Sequence, residues 1–189
     1  MKKCAWALSS SQEELYHDQE WGVPLHDDCR LFEFLILEGA QAGLSWRTIL
    51  EKREAYRKAF DAFDPVLVAD YNASKLESLL QNPGIIRNRL KIQSAVSNAQ
   101  AFLAIQQAFG SFDHYLWEFV EHRPIQNQWS CHAQIPAYTQ LSERLSLDLK
   151  QRGFKFVGKT ISYAFMQAVG LVNDHTVDCY RHSQLNSNT

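Results

Sequence analysis

Apolar side chains recur along the chain with helical spacing. Leu31, Phe34, Leu35 and Glu38 fall at i, i+3, i+4 and i+7, one face of a helical repeat, behind Asp27 and Asp28, which can cap a helix. Three of those positions are apolar and one is a carboxylate. Gly39 and Gly43 loosen the end of this segment, and Ser45 can cap a second helix. Its stripe of Trp46, Ile49, Leu50, Tyr56, Phe60 and Phe63 runs up to Asp64-Pro65. Ser74 and Glu77 have capping-box spacing ahead of Leu79 and Leu80, and Asn82-Pro83-Gly84 interrupts before Ile92, Val96, Ala99, Phe102 and Leu103. Phe112, Tyr115, Leu116 and Phe119 repeat the pattern. Leu141, Leu145 and Leu149 mark a helix stopping near Gly153, and Ile161, Phe165, Ala168 and Val169 another stopping near Gly170. No alternating strand pattern occurs, so the expected fold is all-α. Residues 121–137, with Pro124, Pro136 and no clear period, read as a functional or mobile loop, and residues 184–189 as a frayed tail.

Composition narrows the class. A chain of 189 residues, 46% hydrophobic and 21% charged, can bury one sizeable core, so a single domain over 1–189 is expected. No apolar run approaches a membrane span, and Met1-Lys2-Lys3-Cys4-Ala5-Trp6 lacks the apolar stretch of a signal peptide, which points to the cytoplasm and away from membranes. Nineteen basic against 21 acidic side chains leave a net charge of -2, so any nucleic-acid affinity must come from local clusters. The four cysteines (Cys4, Cys29, Cys131, Cys179) form no dense disulfide framework.

Four features carry candidate chemistry. The connection Arg152-Gly153-Phe154-Lys155-Phe156-Val157-Gly158-Lys159-Thr160 ends on glycine at a helix start, where free backbone N–H groups and the helix dipole suit a phosphate. A plain helical hairpin with solvated lysines has the same sequence signature. Glu38, on an apolar face, must be paired, accept hydrogen bonds from a ligand or carry a raised pKa, unless it reaches solvent at the helix end. Trp6, Tyr16, Trp21 and Trp46 lie within 41 residues and can form either an ordinary aromatic core or a cage for a flat cationic ring. Cys4 and His17 near one end, with His175 and Cys179 near the other, provide four ligands suited to tetrahedral zinc if the fold joins the termini. The spacing His175-x3-Cys179 puts both side chains on one face of a helical turn; otherwise these are two buried cysteines and two unrelated histidines.

Taken together, these residues resemble the 3-methyladenine DNA glycosylase I family over almost the whole chain, from Cys4-Ala5-Trp6 to Cys179. The specific stretches are 16–24 (Tyr16 to Pro24), 37–46 (Leu37 to Trp46), 84–89 (Gly84 to Arg89), 152–158 (Arg152 to Gly158) and 170–175 (Gly170 to His175). The resemblance implies an all-α helix-hairpin-helix DNA glycosylase fold whose hairpin anchors the DNA backbone through Gly153, Lys155, Gly158 and Lys159. It also implies one structural zinc ion held by Cys4, His17, His175 and Cys179, tying the ends of the chain together. Glu38 matches the base-recognising carboxylate, Tyr16 its companion hydroxyl and Trp46 the stacking ring. Trp6 and Trp21 line the pocket, and Leu44 fills the gap left by a flipped nucleotide. The implied activity is monofunctional excision of 3-methyladenine from double-stranded alkylated DNA by a monomer, in base excision repair.

Three departures qualify the match. Phe156 occupies the first glycine position of the usual hairpin, leaving only Gly158. The aspartate expected after the second hairpin helix corresponds to Asp174, which directly precedes His175, so a role supporting that ligand competes with catalysis. A second tyrosine expected a few residues before Tyr16 is replaced by polar residues such as Gln12, Glu13 and Glu14, so one pocket wall should differ. Two alternatives stand beside the main reading: a bifunctional glycosylase/lyase with Lys159 as nucleophile, and a non-catalytic protein that binds alkylated DNA.

Overall fold

The computed structural model describes residues 1–186, and among them ten α-helices carry the fold. They are α1 (Ser11–Gln19), α2 (Asp28–Gln41), α3 (Trp46–Ala59), α4 (Pro65–Ala69), α5 (Ala73–Gln81), α6 (Arg89–Phe109), α7 (Phe112–Trp117), α8 (Gln140–Gln151), α9 (Lys159–Ala168) and α10 (Tyr180–Asn186). The all-α expectation holds. The central element is α2, which packs against α3, α6, α7 and α9 and is buried on every side from Leu31 to Ala40. A helix enclosed in this way has no solvent face, and Glu38 near its end is enclosed with it. Among the described residues, no helix is long and apolar enough to cross a membrane.

Caps begin the helices largely where the sequence placed them. Asp27 accepts the Arg30 N–H and Ser45 the Thr48 N–H, at 2.9 and 3.2 Å. Asp28 accepts from the backbone N–H groups of Phe112 and Asp113 and so joins the starts of α2 and α7. Helix α5 departs from the expected cap. It starts two residues earlier, with Asn72 accepting the Lys75 N–H at 3.0 Å, so Ser74 already lies in the first turn.

Two further expectations are corrected. A two-residue parallel pair, β1 (Ile125–Gln126) with β2 (Val172–Asn173), ties the 121–137 loop to the segment following α9. Strands of that length leave no alternation to read in a sequence. Asn127 and Trp129 both donate to Asp174 at 2.7 Å, so the loop, expected to be functional or mobile, is strapped down, against the mobile alternative. At the C-terminus, residues 184–186 belong to α10, anchored by buried Leu185, and the remainder of the expected frayed tail, 187–189, lies outside the described residues.

Candidate functional site

Four helices converge on one cavity of about 330 Å³ lined by Trp6, Glu13, Tyr16, Trp21, Glu38, Gln41, Trp46, His132, Ala164 and Gln167. Every pocket residue expected from the sequence is among them. Tyr16 comes from α1, Glu38 from α2, Trp46 from the first turn of α3, and Ala164 and Gln167 from α9. The rings form a cage: Trp46 lies 5.3 Å from Tyr16 between centroids, and Trp6 meets Trp21 edge-on at 5.0 Å.

Helices α1, α2 and α3 are clamped together by Arg53. Its guanidinium pairs with both oxygens of Glu20 at 2.8 and 2.9 Å and with Glu33 at 2.6 Å, while lying 4.9 Å over the Phe34 ring. This buried pairing sets the angle at which Tyr16, Glu38 and Trp46 face one another. No sequence motif pointed to it, because the partners are spread across three helices.

Glu38 is 3% exposed, and its Oε2 is enclosed with no hydrogen-bond partner; Trp46 Nε1 is likewise enclosed and unpaired. Desolvation pushes the Glu38 carboxyl up to about 8. The solvent-reaching alternative is excluded by its burial. Burial, followed by the Glu38 and Glu20 charges, also holds the Tyr16 phenol well above its ordinary value. Two residues of one aromatic cavity thus each carry an enclosed polar atom without a protein partner, groups that a ligand entering the cavity could satisfy.

Asp174 is occupied instead. Tyr163 and Gln167 donate to its Oδ2 at 2.6 and 2.7 Å, in addition to the Asn127 and Trp129 contacts on Oδ1, and it is fully buried. With four donors and no solvent contact it organises Gln167, the loop and the start of the His175 segment.

The termini do meet. Ligand atoms of Cys4, His17, His175 and Cys179 all lie within 4.8 Å of one another, all four residues are buried, and the group could hold a metal ion. His17 Nε2 is 3.2 Å from His175 Nδ1, Cys179 Sγ is 3.4 and 3.6 Å from those nitrogens, and Cys4 Sγ is 3.6 Å from His175 Nδ1. The outer nitrogens orient the rings: His17 Nδ1 donates to Asp18 and His175 Nε2 donates to the Trp21 carbonyl, at 2.8 and 3.0 Å. One expectation fails in detail. His175 to Cys179 is not a helical turn but an irregular turn before α10, closed by the Cys179 N–H on the Thr176 carbonyl at 2.8 Å. Buried Asp174 and the strand ahead of it set the direction of the chain there.

The hairpin between α8 and α9 is held from behind. Asn98 of α6 donates to the Lys155 carbonyl and accepts the Lys155 N–H, at 3.0 and 2.7 Å, and Ser146 donates to the Val157 carbonyl at 2.6 Å. Gly158 begins α9 with no side-chain cap, so the first N–H groups of that helix are not covered by a capping side chain. Gly158 and Lys159 line an open groove of about 480 Å³ with Lys150 and Thr160, and Lys155 is exposed; Gly153 turns the chain at φ +98°. Phe156, in place of a glycine, adopts φ +55°. Leu44 is 40% exposed on the turn that joins α2 to α3.

Known proteins resemble this chain over nearly its whole length. The methyladenine glycosylase family model matches residues 6–182. DNA-3-methyladenine glycosylase 1 of Escherichia coli is 51% identical over 179 residues, 95% of this chain and 96% of that protein. The DNA-3-methyladenine glycosylase of Haemophilus influenzae is 47% identical over 177 residues, 94% of this chain and 96% of that protein. Among solved structures, 3-methyladenine DNA glycosylase I from Staphylococcus aureus, determined for the structural basis of 3-methyladenine recognition, superposes with a TM-score of 0.92 at 40% identity, covering 95% of this chain and 96% of that one. The chain belongs to the methyladenine glycosylase family.

Proposed function

We propose that this protein is a monofunctional DNA glycosylase that removes 3-methyladenine from alkylated double-stranded DNA, as a cytoplasmic single-domain monomer in base excision repair. The observation that carries the reading is the enclosed, unpaired Glu38 carboxyl in an aromatic cage. Methylation at N3 makes the adenine of the nucleotide cationic, which weakens the bond to the sugar. Recognition therefore supplies most of the catalysis. The nucleotide leaves the stack at a cost of a few kcal/mol. Its base stacks on Trp46 and draws Glu38 toward its ionised form, while Tyr16 and the indoles of Trp6 and Trp21 close the cage. As the glycosidic bond breaks, its electron pair neutralises the departing base, and water adds to the sugar carbon and gives up a proton. On the DNA side, Leu44 fills the vacated space, and Gly153, Lys155, Gly158 and Lys159 hold the backbone.

The four termini ligands suit zinc. Tetrahedral bonds of about 2.0–2.1 Å to nitrogen and about 2.3 Å to sulfur set ligand separations of about 3.4 Å for N···N and about 3.6 Å for N···S. The observed 3.2 Å and 3.4–3.6 Å lie close to both. Bound there, the ion would supply structural cross-linking of the termini beside Trp21 and Trp6.

The lyase alternative is disfavoured by the surroundings of Lys159. Its ammonium lies 3.6 Å over the Tyr138 ring and 3.2 Å from Glu143, and these partners, Tyr138 first, raise its pKa. A nucleophilic amine needs the opposite shift. The test is chromatography of bases released from methylated duplex DNA, with borohydride added to a parallel reaction. The wild type should release 3-methyladenine and form no trapped adduct. Trp46→Ala should lose roughly thirtyfold, the value of about 2 kcal/mol of cation–π attraction, and Glu38→Gln at least as much. No release by well-folded protein would favour the non-catalytic binding reading.

A further inference from the structure

The pocket contains a second carboxylate. Glu13, three residues ahead of Tyr16 in α1, lines the cavity with Trp6, Tyr16, Glu38 and Trp46. The Ser9 and Ser10 hydroxyls donate to its Oε2 at 2.8 and 2.9 Å, and Ser10 Oγ accepts the Glu13 N–H at 3.1 Å. These contacts fix one oxygen, and among the described residues no protein hydrogen bond engages the other. Glu13 is half-buried, whereas Glu38 is enclosed. The remaining polar residues lining the cavity are Gln41, Gln167, Tyr16 and the exposed His132.

The two carboxyls differ in what an incoming ligand meets. Glu38 in the empty pocket is held toward its neutral form by burial, and a neutral acid exerts little pull on a distant cation. A carboxylate in contact with water, as at half-buried Glu13, acts on an approaching cation at longer range.

We propose that Glu13 is a specificity-determining residue that draws positively charged bases into the pocket in preference to neutral ones, leaving Glu38 to engage the base once it is inside. The inference rests on the reading of this cavity as a pocket for a cationic alkylated base. It replaces the simpler role in which Glu13 only completes the start of α1 beside Ser10. The two roles differ in their response to salt: attraction by a partly exposed charge is screened over about 10 Å at 0.1 M, and a cap is not.

The test uses the full-length protein, with tryptophan fluorescence following two probes. One is the permanently charged 3,9-dimethyladeninium ion and the other is 3-methyladenine at slightly alkaline pH, where it is neutral. Glu13→Gln should weaken binding of the cation about three- to tenfold at low salt, leave the neutral base within about twofold, and flatten the salt dependence of the cation-to-neutral ratio. Glu13→Asp, which keeps the charge, should retain most of the preference and serves as the second variant should the amide disturb folding. Equal losses for both probes, or an unchanged cation preference in Glu13→Gln, would overturn the proposal. Base release from methylated DNA by the wild type, run in parallel, reads the proposed function separately. Release together with a silent Glu13 would sink this inference alone, and absence of release would sink the function whatever Glu13 does.

Discussion

Glu38 couples the pocket to stability. An unfolded glutamate titrates near 4.5 and the buried one near 8, so between those values the unfolded chain holds fewer protons than the folded one. Stability of the ligand-free protein should therefore be complete below about pH 4.5 and fall as pH rises toward about 8, by up to about 5 kcal/mol at ~1.4 kcal/mol per unit. In Glu38→Gln this contribution is absent. Thermal unfolding of both proteins across that range should show the variant gaining on the wild type as pH increases, and a constant difference would contradict the assignment. The placement of Glu38 on an apolar face was readable from the sequence, because the helical repeat alone put it beside Leu31, Phe34 and Leu35. Asn98, Arg53 and Gln167 were not readable, since each acts through a partner on a different element.

At the scale of elements, the helices assigned by period are present but not all their ends held: α3 stops at Ala59, short of the expected Phe60 and Phe63, because Asp61, Ala62 and Phe63 turn at positive φ, and α5 starts two residues before the expected cap. The hairpin too was legible only in part. Gly153 and Gly158 marked its ends in the sequence, yet the left-handed Phe156 between them depends on neighbours. Such a conformation costs about 1–2 kcal/mol for a residue with a side chain, and the bonds from Asn98 and Ser146 to the flanking residues hold the turn. Phe156 packs so tightly on α2 that a Cβ at Gly39 would lie 3.2 Å from its own Cβ. A stronger constraint sits after α9. Gly170 has φ +76°, and a Cβ there would fall 2.3 Å from the Val23 carbonyl carbon, where the chain leading to α2 docks. Gly170→Ala should cost at least about 3 kcal/mol, read as a lower midpoint in urea. A loss under about 1 kcal/mol would mean that the 22–25 segment moves aside freely.

For the whole molecule, the Cys4, His17, His175 and Cys179 group, which could hold a metal ion, brings the two ends of the chain together and places His17 and His175 beside Trp21. If zinc is bound there as proposed, its loss should reach the pocket as well as the fold, because Trp6 and Trp21 line the base cavity. Cross-linking a loop of this length is worth up to about 5 kcal/mol by chain entropy, so stripping zinc with a chelator should lower Tm by roughly 10 °C. Cys4→Ser and His175→Ala should reproduce that shift with reduced zinc by metal analysis. Unchanged zinc content in both variants would refute the ligand set. Residues 175–179 show the limit of spacing arguments, since the ligands converge although the chain between them is not helical.

What the sequence determined by itself was local or periodic. Caps and the helical repeat act within a few residues, and they set the helices, the buried face bearing Glu38, and the glycine-terminated hairpin. The resemblance then named the cage and the four ligands, by matching ordered motifs and not by deriving contacts. Tertiary structure alone decided how Arg53 joins α2, α3 and the end of α1 beside the cavity, that Asp174 is occupied by four donors, that the 121–137 loop is strapped down with His132 at the pocket, and which of the polar residues ahead of Tyr16 lines it, namely Glu13. Each of these depends on packing between segments tens of residues apart. Burial and long-range pairing have no fixed period in sequence, so they emerge only when the helices close around α2.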